Sequence, residues 1–237
     1  MLYITSPHTS RQYDRELEDI RARVLLMGQF VAQQVSESVE SLVKGDAEQA
    51  RKIINNEYQV DAMDISIDEE CTQILACRQP AASDLRLVVA VIKIITDLER
   101  IGDGAERISR AAIRSSKWDT PSNIYESIKS LASYTLAMLY DSLEAFEKMD
   151  MEIALEVATK DPQVDAQYEG ILRQLITYMI EDPRNISWAV ELLWVGRTVE
   201  RIGDHVRNIC EYVIYLVKGK DVRHVGLKDI EQIVRDK

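Results

Sequence analysis

At 237 residues, with 46% apolar side chains, the chain is long enough to bury a substantial core and too apolar to be disordered. Its 40 Asp and Glu outweigh 29 Lys and Arg, giving a formal charge of −11. That balance argues against a nucleic-acid partner, and against phosphate anions on bare surface unless a metal or a local basic cluster reverses the field. Cys71, Cys77 and Cys210 are odd in number and form no CxxC, so structural disulfides and a thiolate zinc site are not expected; buried, inert thiols are. Met1 to Glu18 holds no apolar run of signal-peptide length, and nowhere do about 18 apolar residues follow one another. The expected location is the cytoplasm, without membrane insertion.

Taken in order, the first element is a helix over Tyr13 to Lys44, whose apolar stripe runs Leu17, Ile20, Val24, Met27, Val31, Val35, Val39 and Leu42. Helices over Asp46 to Cys77 and Ser83 to Ser116 follow, and then Ser122 to Lys148, Asp150 to Glu181 and Asn185 to Val217. The break signals correspond between halves. Lys44-Gly45-Asp46 matches Lys148-Met149-Asp150, each Asp standing at an N-cap, and Pro80 and Pro183 punctuate the approach to each third helix. Helices of about 30 residues span roughly 45 Å, which favours antiparallel bundles over a globule of short helices. The reading is all-α: two tandem three-helix bundles related by a pseudo-twofold, over residues 1–118 and 119–218, with a polar tail, mobile or docking, over 219–237. Pro162 falls inside the fifth helix and predicts a kink or a freed carbonyl near Ala158.

The most informative feature is a repeat. Glu99-Arg100-Ile101-Gly102-Asp103 recurs unchanged as Glu200-Arg201-Ile202-Gly203-Asp204, 101 residues downstream. Positions i and i+4 of a helix lie on one face, so each copy presents two carboxylates side by side. A second pair precedes each copy: Glu57 and Asp61 in Glu57-Tyr58-Gln59-Val60-Asp61, and Asp161 and Asp165 in Asp161-Pro162-Gln163-Val164-Asp165.

Roughly seven such acidic pairs are expected by chance at this acidic content, mostly on solvated faces. Their shared position in both halves separates these four from that background. Pairs on facing antiparallel helices would make two hard-oxygen cages, suited to iron, manganese, magnesium or calcium, with carboxylate-held zinc also admitted. Gly102 and Gly203 would let a partner helix or a metal cluster approach. Asn208, one turn past Asp204, could add an oxygen ligand that its counterpart Arg107 could not, making the sites inequivalent. Arg100 and Arg201 point about 100° away and are expected as surface partners of acids. Asp64 and Asp68 continue the helix-two stripe only in the first half, where a solvated acidic face is the expectation.

Catalytic machinery is not visible. Ferritin-like di-iron oxidases need Glu-x-x-His on paired helices, and His8, His205 and His224 do not supply it. Gly102-Asp103-Gly104 is followed by Arg107 where a dinucleotide fingerprint needs glycine.

The strings Leu98 to Asp103, Val199 to His205, Gln79-Pro80-Ala81-Ala82-Ser83-Asp84-Leu85-Arg86 and Tyr215 to His224 closely resemble the PhoU family of phosphate-transport accessory proteins, over nearly the whole chain. The resemblance implies a cytoplasmic, often dimeric protein of two three-helix repeats. It implies metal clusters on Glu57, Asp61, Glu99, Asp103, Asp161, Asp165, Glu200 and Asp204. It also implies a role as negative regulator of phosphate uptake and of the phosphate-starvation response, between the ATPase subunit of a phosphate ABC transporter and a membrane sensor histidine kinase. The alternatives are a metal-free acidic scaffold docking basic partners and, further behind, a carboxylate-bridged oxidase.

Overall fold

The computed structural model describes residues 11–118, 120–223 and 225–235. Among them only helices occur: α1 (Arg11–Lys44), α2 (Ala47–Asn56), α3 (Tyr58–Arg78), α4 (Ala82–Ser115), α5 (Ser122–Lys148), α6 (Met151–Glu181), α7 (Ile186–Lys218) and α8 (Leu227–Arg235), with a 3-10 turn at Pro183–Asn185 before α7. Every residue of the α1 stripe is buried, each such aliphatic contributing roughly 1.5–3 kcal/mol of transfer free energy. The first bundle packs α1, α2, α3 and α4; the second packs α5, α6 and α7. They join along α1 against α5 and α4 against α7, and one apolar core runs through both, from Ile20, Ile94 and Ile101 to Phe146 and Ile209.

The expected caps form. Asp46 Oδ1 accepts from the backbone of Glu48 and Gln49 at 3.1 and 2.9 Å, and Asp150 Oδ1 from Glu152 and Ile153 at 2.9 and 3.2 Å. Ahead of each cap the chain turns through a left-handed residue, Gly45 at φ +67° and its counterpart Met149 at φ +52°. Arg21 of α1 donates to the carbonyl of Glu147 at 2.8 Å, closing the end of α5 from the other bundle.

One expectation is corrected: the second helix, expected unbroken over Asp46 to Cys77, is two helices. The helix of the second repeat stays continuous through exposed Pro162, whereas the matching helix of the first is interrupted at Glu57, where the Glu57 amide turns to Ile54 O at 3.4 Å. The segment after Gly219 packs back onto the second bundle. Val222, Ile230 and Val234 are buried, and α8 packs on α6 and α7. Asp119, at the expected repeat boundary, lies outside the described residues.

Candidate functional site

The repeated glycines have a packing reason. A Cβ at Gly102 would stand 3.1 Å from Val60 Cγ1, and one at Gly203 would stand 3.2 Å from Val164 Cγ1. In each half the valine of the helix-two string therefore sits on the glycine of the helix-three string. The acids stand three residues before and one after each valine or glycine, four apart from one another, so each pair shares one helix face beside that contact.

In the first half, Glu57 is pushed above the usual carboxylate range by burial and then by Asp61, Glu106, Asp103 and Glu99. Glu99 is raised by burial and Asp103, against the pull of Arg100, with smaller contributions from Asp64 and Asp61. Both pairs thus share one field. Asp64 belongs to it: expected on a solvated face, it is half-buried and raised by lost hydration and then by Asp68 and Asp61. Arg100 curls back on its own motif, 3.2 Å from Glu99 and 3.4 Å from Asp103, and so partly neutralises it; Arg107 lies 3.5 Å from Asp103.

The second half is built differently. Asp161 and Glu200 are only 6% and 7% exposed. Arg207 donates to Asp161 at 3.1 Å and to Glu211 at 3.2 Å, and Arg197 donates to Glu200 Oε1. Glu200 Oε2 is buried without any hydrogen-bond partner. Burial raises Asp161, opposed by Arg207, and raises Glu200, with Asp204 adding to it and Arg197 opposing. Asp204, though its surface meets solvent, is raised by lost hydration and then by Asp161 and Asp165.

The two sites are inequivalent through more than Asn208. Its amide nitrogen donates to Asp97 Oδ1 at 3.1 Å, where His205 Nδ1 also sits at 2.7 Å, so that hydrogen bond serves the seam between α4 and α7. Inequivalence also comes from Arg207, whose counterpart 101 residues earlier is Glu106, and from Asp64, matched by Tyr168 in the second half. Sequence reasoning that trusts only repeated residues discards both.

A cation fits the chemistry of these groups: the donors are hard oxygens, their charged forms are disfavoured by one another, and one buried oxygen is orphaned. Yet among the described residues no three His, Cys, Asp or Glu side chains are gathered closely enough to hold an ion. Ligation would require side chains to turn inward. His205 is committed to Asp97, and His8 and His224 lie outside the described residues.

These features define a tandem-repeat helical protein with one paired-carboxylate site per repeat. The chain belongs to the PhoU family: the PhoU domain model matches residues 24–112 and again 128–213. The "Phosphate-specific transport system accessory protein PhoU" of Edwardsiella tarda is 46% identical over 230 residues, covering 97% of this chain and 94% of that protein. A crystal structure of PhoU from Pseudomonas aeruginosa superposes with a TM-score of 0.82 at 44% identity, covering 88% of this chain and all of that one. The phosphate transport system regulatory protein PhoU from Streptococcus pneumoniae does so with 0.81 at 30% identity, over 89% and 99%. The names are those of accessory and regulatory proteins, not of enzymes. No helix among the described residues is long and apolar enough to cross a membrane.

Proposed function

We propose that this chain is a cytoplasmic negative regulator of phosphate uptake and of the phosphate-starvation response, working as a dimeric adaptor between the ATPase subunit of a phosphate ABC transporter and a membrane sensor histidine kinase. The observation that supports it is likeness along nearly the full length to proteins named as accessory to the phosphate-specific transport system. A chain of this kind acts by binding. Glu57, Asp61, Glu99 and Asp103 would hold a hard cation in the first half, and Asp161, Asp165, Glu200 and Asp204 in the second. The cation would cancel the repulsion that raises these acids and would fix the helix-two arm against the helix-three seam.

The test is genetic and biochemical together. Cells lacking the chain should keep phosphate-starvation promoters on in abundant phosphate, and the purified chain should retain the ATPase subunit and the kinase in pulldowns. Normal repression in the deleted strain would overturn the assignment. A metal-free acidic scaffold is the second reading, favoured by the guanidinium groups of Arg197 and Arg207 already set on Glu200 and Asp161. Elemental analysis of chain purified without chelator separates the two.

A further inference from the structure

α4 and α7 run antiparallel along their whole length, as the pairs Arg114 with Glu191, Asp97 with Asn208 and Arg86 with the Leu216 carbonyl show. Two adjoining cavities open along one end of this seam. The narrower, about 150 Å³, is lined by Arg100, Arg107, Thr198, Arg201 and His205; the wider, about 270 Å³, by Arg107, Arg114, Trp194, Arg197, Thr198 and Arg201. Sharing Arg107, Thr198 and Arg201, they form one groove. Five guanidinium groups face two wall carboxylates, Asp103 and Glu191, in a chain of net charge −11. Arg201 is exposed and has no ion pair among the described residues. Asp103 holds Arg100 and Arg107 at 3.4 and 3.5 Å and Glu99 holds Arg100 at 3.2 Å, whereas Arg114 and Arg197 are more closely paired with Glu191 and Glu200. Trp194 leaves 63% of its surface to solvent at the groove wall, an unusual place for indole.

The pseudo-twofold supplies an internal control. Moving by the 101-residue repeat, Arg107 corresponds to Asn208, Arg114 to Tyr215, Trp194 to Lys93, Arg197 to Thr96 and Thr198 to Asp97. At that opposite end of the seam Asp97 is buried under His205 and Asn208, and Lys93 lies 5.4 Å from the Tyr212 ring centroid and 6.0 Å from that of Tyr215. One end of the duplicated seam is closed by paired groups, and the other is open, basic and aromatic. Packing α4 on α7 therefore does not require the arginines or the tryptophan.

Guanidinium forks match phosphate oxygens in pairs, and an exposed indole offers a stacking face for a base. From Trp194 to Arg201 is seven residues, roughly 10 Å along the helix, which suits a base at one end and a phosphate chain at the other. We propose that this groove binds a nucleoside polyphosphate, with its phosphates on Arg100, Arg107 and Arg201 and its base against Trp194. The site takes an anion where the carboxylate pairs would take a cation, and it shares Asp103 with the first of them.

Titration calorimetry of the full chain, with chelator present, tests this with ATP, tripolyphosphate, inorganic phosphate and a polyglutamate peptide. ATP should bind, with tripolyphosphate about tenfold weaker for want of stacking and inorganic phosphate weaker again. The variant R107A/R201A should lose about tenfold or more for both polyphosphates; the single variant R201Q, at an exposed unpaired side chain, gives the same direction if the double variant melts early. W194A should weaken ATP about tenfold and leave tripolyphosphate unchanged. Absence of ATP binding at millimolar concentration, or unaltered affinity in R107A/R201A or R201Q, overturns the proposal. So does polyglutamate binding more tightly than ATP, which would mark the groove as a docking face for an acidic protein segment. Insensitivity of ATP affinity to W194A overturns the nucleoside assignment.

Discussion

Replacing Gly102 with Ala sets two effects of opposite sign against each other. Alanine in mid-helix gains about 1 kcal/mol of propensity over glycine. Its Cβ, however, would sit 3.1 Å from Val60 Cγ1 and 3.4 Å from Cγ2. Val60 is 1% exposed, and its branched side chain has one strongly preferred rotamer in a helix, so relief must come from moving α3 as a body. Overpacking of that kind costs about 1–3 kcal/mol, so the net should be destabilising by roughly 1 kcal/mol, a melting shift of about 2–4 °C for a chain of this size. The decisive assay is a double-mutant cycle by chemical denaturation. V60A alone should destabilise by leaving a cavity, but in the V60A background G102A should become neutral or stabilising, giving a coupling of about 1–2 kcal/mol. If G102A stabilises the native protein, and does so equally with or without Val60, the glycine is not there for the valine.

Further expectations follow from the same contacts. Since Glu57, Asp64, Glu99, Asp161, Glu200 and Asp204 titrate above the usual carboxylate range in the fold, the folded state binds their protons more tightly than the unfolded chain. Their contribution to stability should rise as pH falls from neutrality towards about 4.5, and E200Q should raise the neutral-pH melting temperature and flatten that slope; a melting temperature that falls steadily over this window would contradict it. Below that range the depressed Glu16, Asp182 and Asp221, the last at about 2, reverse the trend. A divalent cation at about 100 times its dissociation constant should add about 2.7 kcal/mol, some 5–10 °C; E99A/D103A should remove the tighter phase, because Glu106 stands where the second site has Arg207. Unchanged melting with metal and chelator would favour the metal-free scaffold. Native thiol titration should find one reactive group, exposed Cys77, since Cys71 and Cys210 are buried and burial raises Cys71 to about 12 and Cys210 also; three reactive groups without denaturant would refute that.

Much of the architecture was legible because helical periodicity and repeat agree: the α1 stripe is buried residue for residue, and Asp46 and Asp150 cap as expected. The break in the first repeat was not read, because proline is the conspicuous signal and the first repeat has none there. One missing donor at an exposed position leaves α6 intact, while nothing in the residues around Glu57 marks an interruption. Facing acid pairs could be read from spacing, and the glycine's partner could not, because Val60 reaches Gly102 only through tertiary packing. The hydrogen bond of the Asn208 amide nitrogen was illegible for a similar reason: Asp97, which accepts it, lies outside both motifs and in the other repeat. Val222, Ile230 and Val234 were too sparse among polar neighbours to distinguish a packed α8 from a tail.

The interruption at Glu57 gives the molecule a weak joint. It leaves α2 with ten residues and only Ala50 and Ile53 buried, shorter than the length at which a helix holds itself together in water. Such a segment is expected to open locally before the bundle does. Amide protons of α2 should exchange with solvent sooner than those of the continuous α6, and each opening carries Glu57 away from Glu99. A ligand that holds the two acids together would slow that exchange, so occupancy of a static-looking surface would be readable as the lifetime of a neighbouring helix.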